Sequence, residues 1–266
     1  MKIVTFNVNS IRTRLHQIEK LIENHNPDII GLQETKVQDH EFPVKEIEAF
    51  GYHVEFAGQK THYGVAVMSK AVPKQVQKNF PDDPDDAQKR MLMCAYDGFV
   101  FVNGYFPQGE SRDHAVKFPA KAKFYADMSN YLNNCAAQGT DVVLVGDMNI
   151  APTDFDIGIG EQNAKRWLKE GKTSFLPEER EWFEKMCGCG LKDVYRQIHP
   201  ESREFFSWFD YRSKGFEAEP KRGLRIDHIL ATDGLASKCV AAGIDYEVRG
   251  MERPSDHAPV WAEFKL

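Results

Sequence analysis

No stretch of this chain is apolar for long enough to cross a bilayer or to form the hydrophobic core of a secretion signal, and the first residues, Met1-Lys2-Ile3-Val4-Thr5-Phe6, already read as a strand. The expectation is a cytoplasmic protein that stays where it is made. Cysteine is scarce: the five residues at 94, 135, 187, 189 and 239 are odd in number and scattered, which fits neither a disulfide framework nor the spacing of zinc ligands. Cys187 and Cys189, at the end of a helical pattern, read as packing residues. Proline and glycine never gather into a linker, and no repeat or low-complexity tract is visible, so solenoids are excluded and one domain over residues 1–266 is expected, a monomer by default. Positive charge is not in excess, with 34 Lys and Arg against 40 Asp and Glu for a net charge of −6. That argues against a protein that coats nucleic acid, although an enzyme acting on one can confine its phosphate-binding cations to a single rim.

What the chain does have is a series of short runs rich in Val, Ile and Phe, at residues 2–8, 28–33, 64–69, 91–96, 98–103, 141–146, 225–231 and 258–264, each bounded by turn residues and read as strands. Helical periodicity lies between them. Leu15, Ile18, Leu21 and Ile22 share one face until Asn26-Pro27 stops the helix; Phe124, Met128, Tyr131, Leu132 and Cys135 do the same from Ala120 onward. A third helix starts at Pro177, carries Glu178 and Glu179 in its first turn, and buries Trp182, Phe183 and Met186. Strands interleaved with helices give an α/β class, and neighbouring strands without a helix between them add antiparallel pairs, so a mixed, two-sheet sandwich is expected. The acidic run Asp82, Asp83, Asp85 and Asp86 reads as a solvated loop.

The chemistry gathers where the apolar runs end. Ile3-Val4-Thr5-Phe6 leads into Asn7, Ile29-Ile30-Gly31-Leu32-Gln33 into Glu34, and Val142-Val143-Leu144-Val145-Gly146 into Asp147 and Asn149; Asp227 interrupts a fourth run and Ser255-Asp256-His257 precedes the last. Asp and Asn at strand ends are ordinary turn formers when taken singly. Together, Asn7, Glu34, Asp147, Asn149 and Asp256 offer hard oxygens that suit Mg²⁺, with Mn²⁺ as a substitute, and His257 remains for proton or charge work. That inventory fits hydrolysis of a phosphate ester. Asp227, inside an apolar run, needs a partner; the preferred reading pairs it with His257, which could otherwise cap a turn.

Phe6-Asn7-Val8-Asn9, Leu32-Gln33-Glu34-Thr35-Lys36, Asn103-Gly104-Tyr105-Phe106-Pro107, Gly146-Asp147-Met148-Asn149, Gly223-Leu224-Arg225-Ile226-Asp227 and Ser255-Asp256-His257-Ala258-Pro259 resemble, in order, the signature blocks of the exonuclease III branch of the endonuclease/exonuclease/phosphatase superfamily. The resemblance covers nearly the whole chain, with Ser10 where relatives often carry Gly. It implies a four-layer α/β sandwich, two packed mixed sheets flanked by helices. It further implies metal-dependent DNA repair chemistry: incision 5′ to abasic sites, 3′→5′ degradation of duplex DNA and removal of 3′ blocking groups, with no membrane or obligate protein partner. On the same basis Glu34 would be the principal metal ligand with Asn7 and Asp256 nearby, Asp147 would activate water, Asn149 would stabilise the transition state, His257 oriented by Asp227 would contact the scissile phosphate, and Tyr105 would donate to a phosphate oxygen.

Arg12, Lys60, Arg90, Lys121 and Lys214 fall in loops or helix starts between these blocks, where phosphate contacts would position a duplex without reading its sequence. The block Phe206-Ser207-Trp208-Phe209-Asp210-Tyr211-Arg212 offers Trp208 and Phe209 either as an aromatic wedge against a damaged nucleotide or as core, and the resemblance places Gln108 in the gap left by a missing base. Two rival readings keep parts of this pattern: a phosphoesterase acting on inositol phosphates or sphingomyelin, and a DNA-binding module without catalysis.

Overall fold

The computed structural model describes residues 1–265. Among the described residues twelve strands are formed: β1 (Lys2–Asn7), β2 (Ile29–Gln33), β3 (His53–Ala57), β4 (Val65–Ser69), β5 (Gln75–Lys78), β6 (Met91–Tyr96), β7 (Phe99–Tyr105), β8 (Val142–Asp147), β9 (Leu191–Asp193), β10 (Asp227–Thr232), β11 (Cys239–Ile244) and β12 (Val260–Phe264). The helices are α1 (Leu15–His25), α2 (Val44–Ala49), α3 (Lys117–Ala137), α4 (Glu161–Lys169), α5 (Pro177–Cys187), α6 (Val194–Ile198), α7 (Asp233–Ala236) and α8 (Tyr246–Arg249). Two six-stranded mixed sheets result, in the orders β11-β12-β1-β2-β4-β3 and β5-β6-β7-β8-β10-β9, and helices cover their outer faces. The expected sandwich is thus the observed architecture.

Each sheet is built around one parallel pair, β1 with β2 through the crossover α1, and β7 with β8 through α3. The remaining neighbours pair antiparallel. The consequence for function is direct, because the carboxyl ends of all four central strands emerge at one edge. Alternate residues of β1, β2, β7 and β8 face the shared inter-sheet core, where Ile3, Ile29, Phe101, Val143 and Val145 meet. Their neighbours pack outward: Val4, Phe6, Ile30 and Leu32 against Ile18 and Leu21 of α1, and Val102 and Leu144 against Phe124 and Met128 of α3.

The sheets are also pinned by polar groups next to the functional edge. Asn103 on β7, fully buried, donates through Nδ2 to the carbonyls of Leu32 and Ala66 in the opposite sheet, at 2.9 Å each, and its Oδ1 accepts from Gln33 Nε2 at 2.7 Å. Inside a dry core such bonds fix register in a way that apolar packing cannot. Gly146 completes the approach: φ is +147°, and a Cβ there would lie 1.8 Å from the Gly104 carbonyl oxygen on the paired strand. Only glycine lets β8 deliver Asp147 this close to β7.

The cysteines are free, and Cys135, Cys187 and Cys189 pack against the core between α3 and the second sheet, as expected. Among the described residues no helix is long and apolar enough to cross a membrane.

Candidate active site

Asn7 closes β1, Glu34 follows β2, Tyr105 closes β7, Asp147 closes β8, Asp227 opens β10 directly opposite Asp147, and the turn before β12 supplies Ser255-Asp256-His257. Glu34 and Asn149 both hold left-handed backbone, with φ of +58° and +53°, as do Asn9, Ser10 and Lys36 nearby. Non-glycine residues in this region are strained, and their concentration at one edge marks a place where side-chain direction outweighs backbone comfort.

The amide of Asn7 sits between two acids. Its Nδ2 donates to Glu34 Oε2 at 3.0 Å and to Asp147 Oδ2 at 2.9 Å, while its Oδ1 accepts from the Asn9 backbone N–H at 3.0 Å. Beyond the oxygen that Asn7 was expected to offer a metal, its NH₂ spans two carboxylates and holds them together. The other oxygen of Glu34 is 2.8 Å from Lys36 Nζ, which also donates to Asn9 Oδ1 at 2.6 Å. Asn9 in turn donates to Asp256 Oδ1 at 2.9 Å, and the indole N–H of Trp208 reaches Asp256 Oδ2 at 3.0 Å. Asp256 is thereby tied to the Glu34 side of the site through Asn9. Burial would raise its pKa, but His257, Asn9 and Trp208 outweigh that and keep it below the usual carboxylate range.

On the other side, Asp227 holds the imidazole of His257, with Oδ2 2.8 Å and Oδ1 3.1 Å from Nδ1, and His257 Nε2 lies 3.8 Å from Asp147 Oδ2. The pairing of Asp227 with His257 expected from their sequence context is therefore present. Ser207 fixes the acid from behind, its Oγ accepting from the backbone N–H groups of Ile226 and Asp227. Burial lowers the His257 pKa, yet Asp227, Asp147 and Asp256 together overcome it and raise it above the ordinary imidazole value, which favours the protonated ring. Asp147 moves the other way. Burial pushes it up to about 7, with Asp227 and Glu34 adding to the rise and His257 and Asn7 opposing it.

Tyr105 lies beside Glu34 and Asp147, and burial together with those two charges raises its pKa well above the ordinary value, so it keeps its proton and acts as a donor. Arg90 is sandwiched between the rings of Tyr63 and Tyr105, at 4.3 and 4.8 Å from their centroids, and donates to the Tyr105 carbonyl. Asn149 is held through its backbone N–H, 3.1 Å from Asp147 Oδ1, and its Nδ2, 3.0 Å from the Phe106 carbonyl.

Asp147, Asp227 and His257 each place one potential ligand atom within 4.8 Å of the others, a candidate metal-binding cluster. The chemistry of the donors divides that cluster. His257 Nδ1 is committed to Asp227, with which a metal at that nitrogen would have to compete. Glu34 and Asp147 present hard carboxylate oxygens around one amide, the donor type that a small divalent cation selects.

Two expected contacts are corrected. Lys121 is wholly buried and paired with Glu179 at 2.5 Å, so it cannot reach an external phosphate. Phe209 is equally buried, edge-on to Phe216 and Tyr246, and serves as core. Trp208 remains partly exposed, Arg12, Lys60 and Lys214 lie on the surface, and Gln108 is exposed with its side chain bonded to Thr173 and to the Glu110 backbone. Sequence reasoning gave no role to Asn9, Lys36 or Ser207. The first two stand two residues beyond Asn7 and Glu34, and a polar residue at that offset from a ligand-type strand end was the signal available.

A family model described as the endonuclease/exonuclease/phosphatase family matches residues 4–257. The chain is 54% identical over 269 residues to a Haemophilus influenzae protein named exodeoxyribonuclease III, each covered in full. A Neisseria 3′ phosphatase, NExo, solved with a product DNA hairpin, superposes with a TM-score of 0.92 at 39% identity. An AP endonuclease from Archaeoglobus fulgidus superposes at 0.91 with 37% identity, and both structures are covered in full along with the whole of this chain.

Proposed function

From the premise that the chain belongs to the endonuclease/exonuclease/phosphatase family and is a DNA-cleaving hydrolase of DNA repair, we propose that it hydrolyses the phosphodiester 5′ to abasic sites and trims or unblocks 3′ ends of duplex DNA, with Mg²⁺ held by Glu34 and Asp147. The observation that carries this reading is the joint placement of Glu34 and Asp147 on one amide with the Asp227–His257 pair beside them. Asp256 belongs to the same acidic wall through Asn9.

A bound divalent cation supplies neutralisation of the charge that develops on the phosphate oxygens. The remaining work falls to the chain. Asp147, whose carboxylate lies between the Asn7 amide and the His257 ring, is placed to take a proton from the attacking water. His257, protonated and held by Asp227, donates to a non-bridging phosphate oxygen, and Tyr105 provides a second donor. Asn149 gives one Nδ2 hydrogen to the Phe106 carbonyl and has its second available to an oxygen of the pentacoordinate phosphate. Trp208 flanks this wall, supporting a role at the lesion, while Arg12, Lys60, Arg90, Gln108 and Lys214 supply the rim that follows the duplex.

The decisive assay uses a duplex with one tetrahydrofuran abasic analogue beside an undamaged duplex with a recessed 3′ end, each with Mg²⁺ and with EDTA. A single metal-dependent incision at the analogue together with shortening of the recessed strand is expected. Folded, metal-loaded protein that cuts neither DNA would overturn the proposal and send the search to phosphoinositides.

A further inference from the structure

Lys121 and Tyr125 stand one turn apart on α3 and point at the same piece of backbone. The Lys121 ammonium, fully buried, gives its hydrogens to the carbonyl of Asn149 at 2.8 Å, to Glu179 Oε1 at 2.5 Å and to the carbonyl of Gln108 at 3.3 Å. All three of its donors are thus used, and none is left for solvent or substrate. Tyr125, also buried, donates its hydroxyl proton to the carbonyl of Met148 at 2.6 Å. Glu179 is anchored in turn, its Oε2 accepting from the backbone N–H groups of Ser174 at 2.7 Å and Leu176 at 2.9 Å at the start of α5.

Two consecutive carbonyls of the Asp147-Met148-Asn149 turn are therefore gripped from beneath by one helix, at the point where Asn149 adopts its left-handed conformation. The turn would be free to relax toward ordinary backbone without such a hold, because left-handed geometry in a non-glycine residue is strained. Lys121 has a second reach. Its bond to Gln108 O and the packing of its stem under Gly109, where an added Cβ would lie 3.0 Å from Lys121 Cδ, tie the Gln108 loop to the same ammonium. One buried charge thereby joins the turn carrying Asn149 to a loop on the exposed rim.

We propose that Lys121 and Tyr125 are positioning residues that hold the Asn149 turn, and with it the Asn149 amide, in the geometry used for phosphodiester cleavage. This rests on the reading of Asn149 as a participant in that chemistry. Lys121 acts through backbone carbonyls and never touches DNA.

The test is a double-mutant cycle on Mg²⁺-dependent cleavage of the abasic-analogue duplex. Lys121→Met is combined with Glu179→Gln so that no buried charge is left unpaired, and Tyr125→Phe, a one-atom deletion, serves as the variant that decides the matter should the first not fold. Displacement of a reacting group from afar predicts a fall in kcat of about tenfold to a hundredfold for Lys121→Met/Glu179→Gln, with KM within about threefold of the parent. Tyr125→Phe loses one buried hydrogen bond, and a fall in kcat of about fivefold is expected. On an Asn149→Ala background each change should cost less than about a further twofold, because the group being positioned is gone. Parental kcat in Tyr125→Phe and the Lys121 variant, a rise in KM alone, or losses that multiply in full on Asn149→Ala would overturn the inference while leaving the proposed reaction intact. Parental kcat in Asn149→Ala itself would remove both the role assigned to Asn149 and the inference built on it.

Discussion

Glu34→Gln is expected to cleave abasic-analogue duplex about a thousandfold more slowly than its parent, the loss that follows when a charge-neutralising metal interaction worth several kcal/mol is removed at about 1.4 kcal/mol per tenfold in rate. The amide keeps the shape of the carboxylate, and its one oxygen can accept from Asn7 or from Lys36 but not from both; the side chain is partly exposed at the sheet edge, so the fold is retained. The loss should appear in kcat, and titration with Mg²⁺ should show a large rise in the concentration needed for half-activity. Unchanged kcat with an unchanged metal requirement would remove Glu34 from the chemistry and leave its strained backbone without a functional account. Because Glu34 is partly exposed while Asp147 is buried, the change at Glu34 separates metal binding from folding more cleanly than one at Asp147.

The second large effect falls on stability. Arg225, fully buried, donates through Nε to Asp156 at 2.6 Å, through Nη2 to Asp193 at 2.7 Å, and approaches His228 Nδ1 with Nη1 at 3.0 Å, while His228 Nε2 donates to the Ile150 carbonyl. Arg225→Met takes the shared buried cation from Asp156 and Asp193, leaving them Arg196, Thr153 and His228 as remaining partners, and breaking a buried ionic network in this way costs about 3–5 kcal/mol. For a chain of this size that corresponds to a fall in Tm of about 10 °C. Differential scanning calorimetry at neutral pH checks it; a Tm within a degree or two of the parent would show that the network contributes little.

The same residues set the acid limit. Burial works against both carboxylates, but Arg225 with His228 holds Asp193, and Arg225 with Thr153 and Arg196 holds Asp156, below the usual carboxylate range. A folded pKa depressed from the unfolded value of about 3.9 adds stability that is complete above that value and is lost as pH falls through the folded pKa. The parent should therefore lose Tm steeply as pH drops from about 4. Arg225→Met removes that contribution from the acid limb.

The eight apolar runs of the sequence became β1, β2, β4, β6, β7, β8, β10 and β12, which are the eight interior strands of the two sheets. The four strands not foreseen, β3, β5, β9 and β11, are the four sheet edges. Edge strands have one unpaired side and protect it with short length, charge or exposure, which removes the apolar run that reveals an interior strand. Gln75-Val76-Gln77-Lys78 and Leu191-Lys192-Asp193 carry that character in their composition. Helix α4 escaped for a similar reason, since Glu161-Gln162-Asn163-Ala164-Lys165-Arg166 is polar almost all round and no residue of the helix is buried.

For the site, the sequence by itself determined the candidate groups: Glu34, Asp147, Asp227 and His257 are ligand or base types placed where apolar runs end or are interrupted, and such residues in such places are costly unless something uses or pairs them. Only the tertiary structure decided which polar residues face the site and which are sealed beneath it. Lys121 and Phe209 look in sequence like contacts for DNA, yet α3 turns the lysine inward to Glu179 and Asn149, and Tyr246 and Phe216 close over the phenyl ring. Asn7 carries an amide oxygen suited to a metal, and only the packing of the two sheets shows that its NH₂ also bridges Glu34 and Asp147 while the Asn9 N–H takes one lone pair of that oxygen. Residue type and local spacing fix what a side chain is able to bind. Its direction depends on neighbours far along the chain, about 60 residues away for Lys121 and Glu179 and 140 for Asn7 and Asp147, and those meet only when the two sheets and their helices pack.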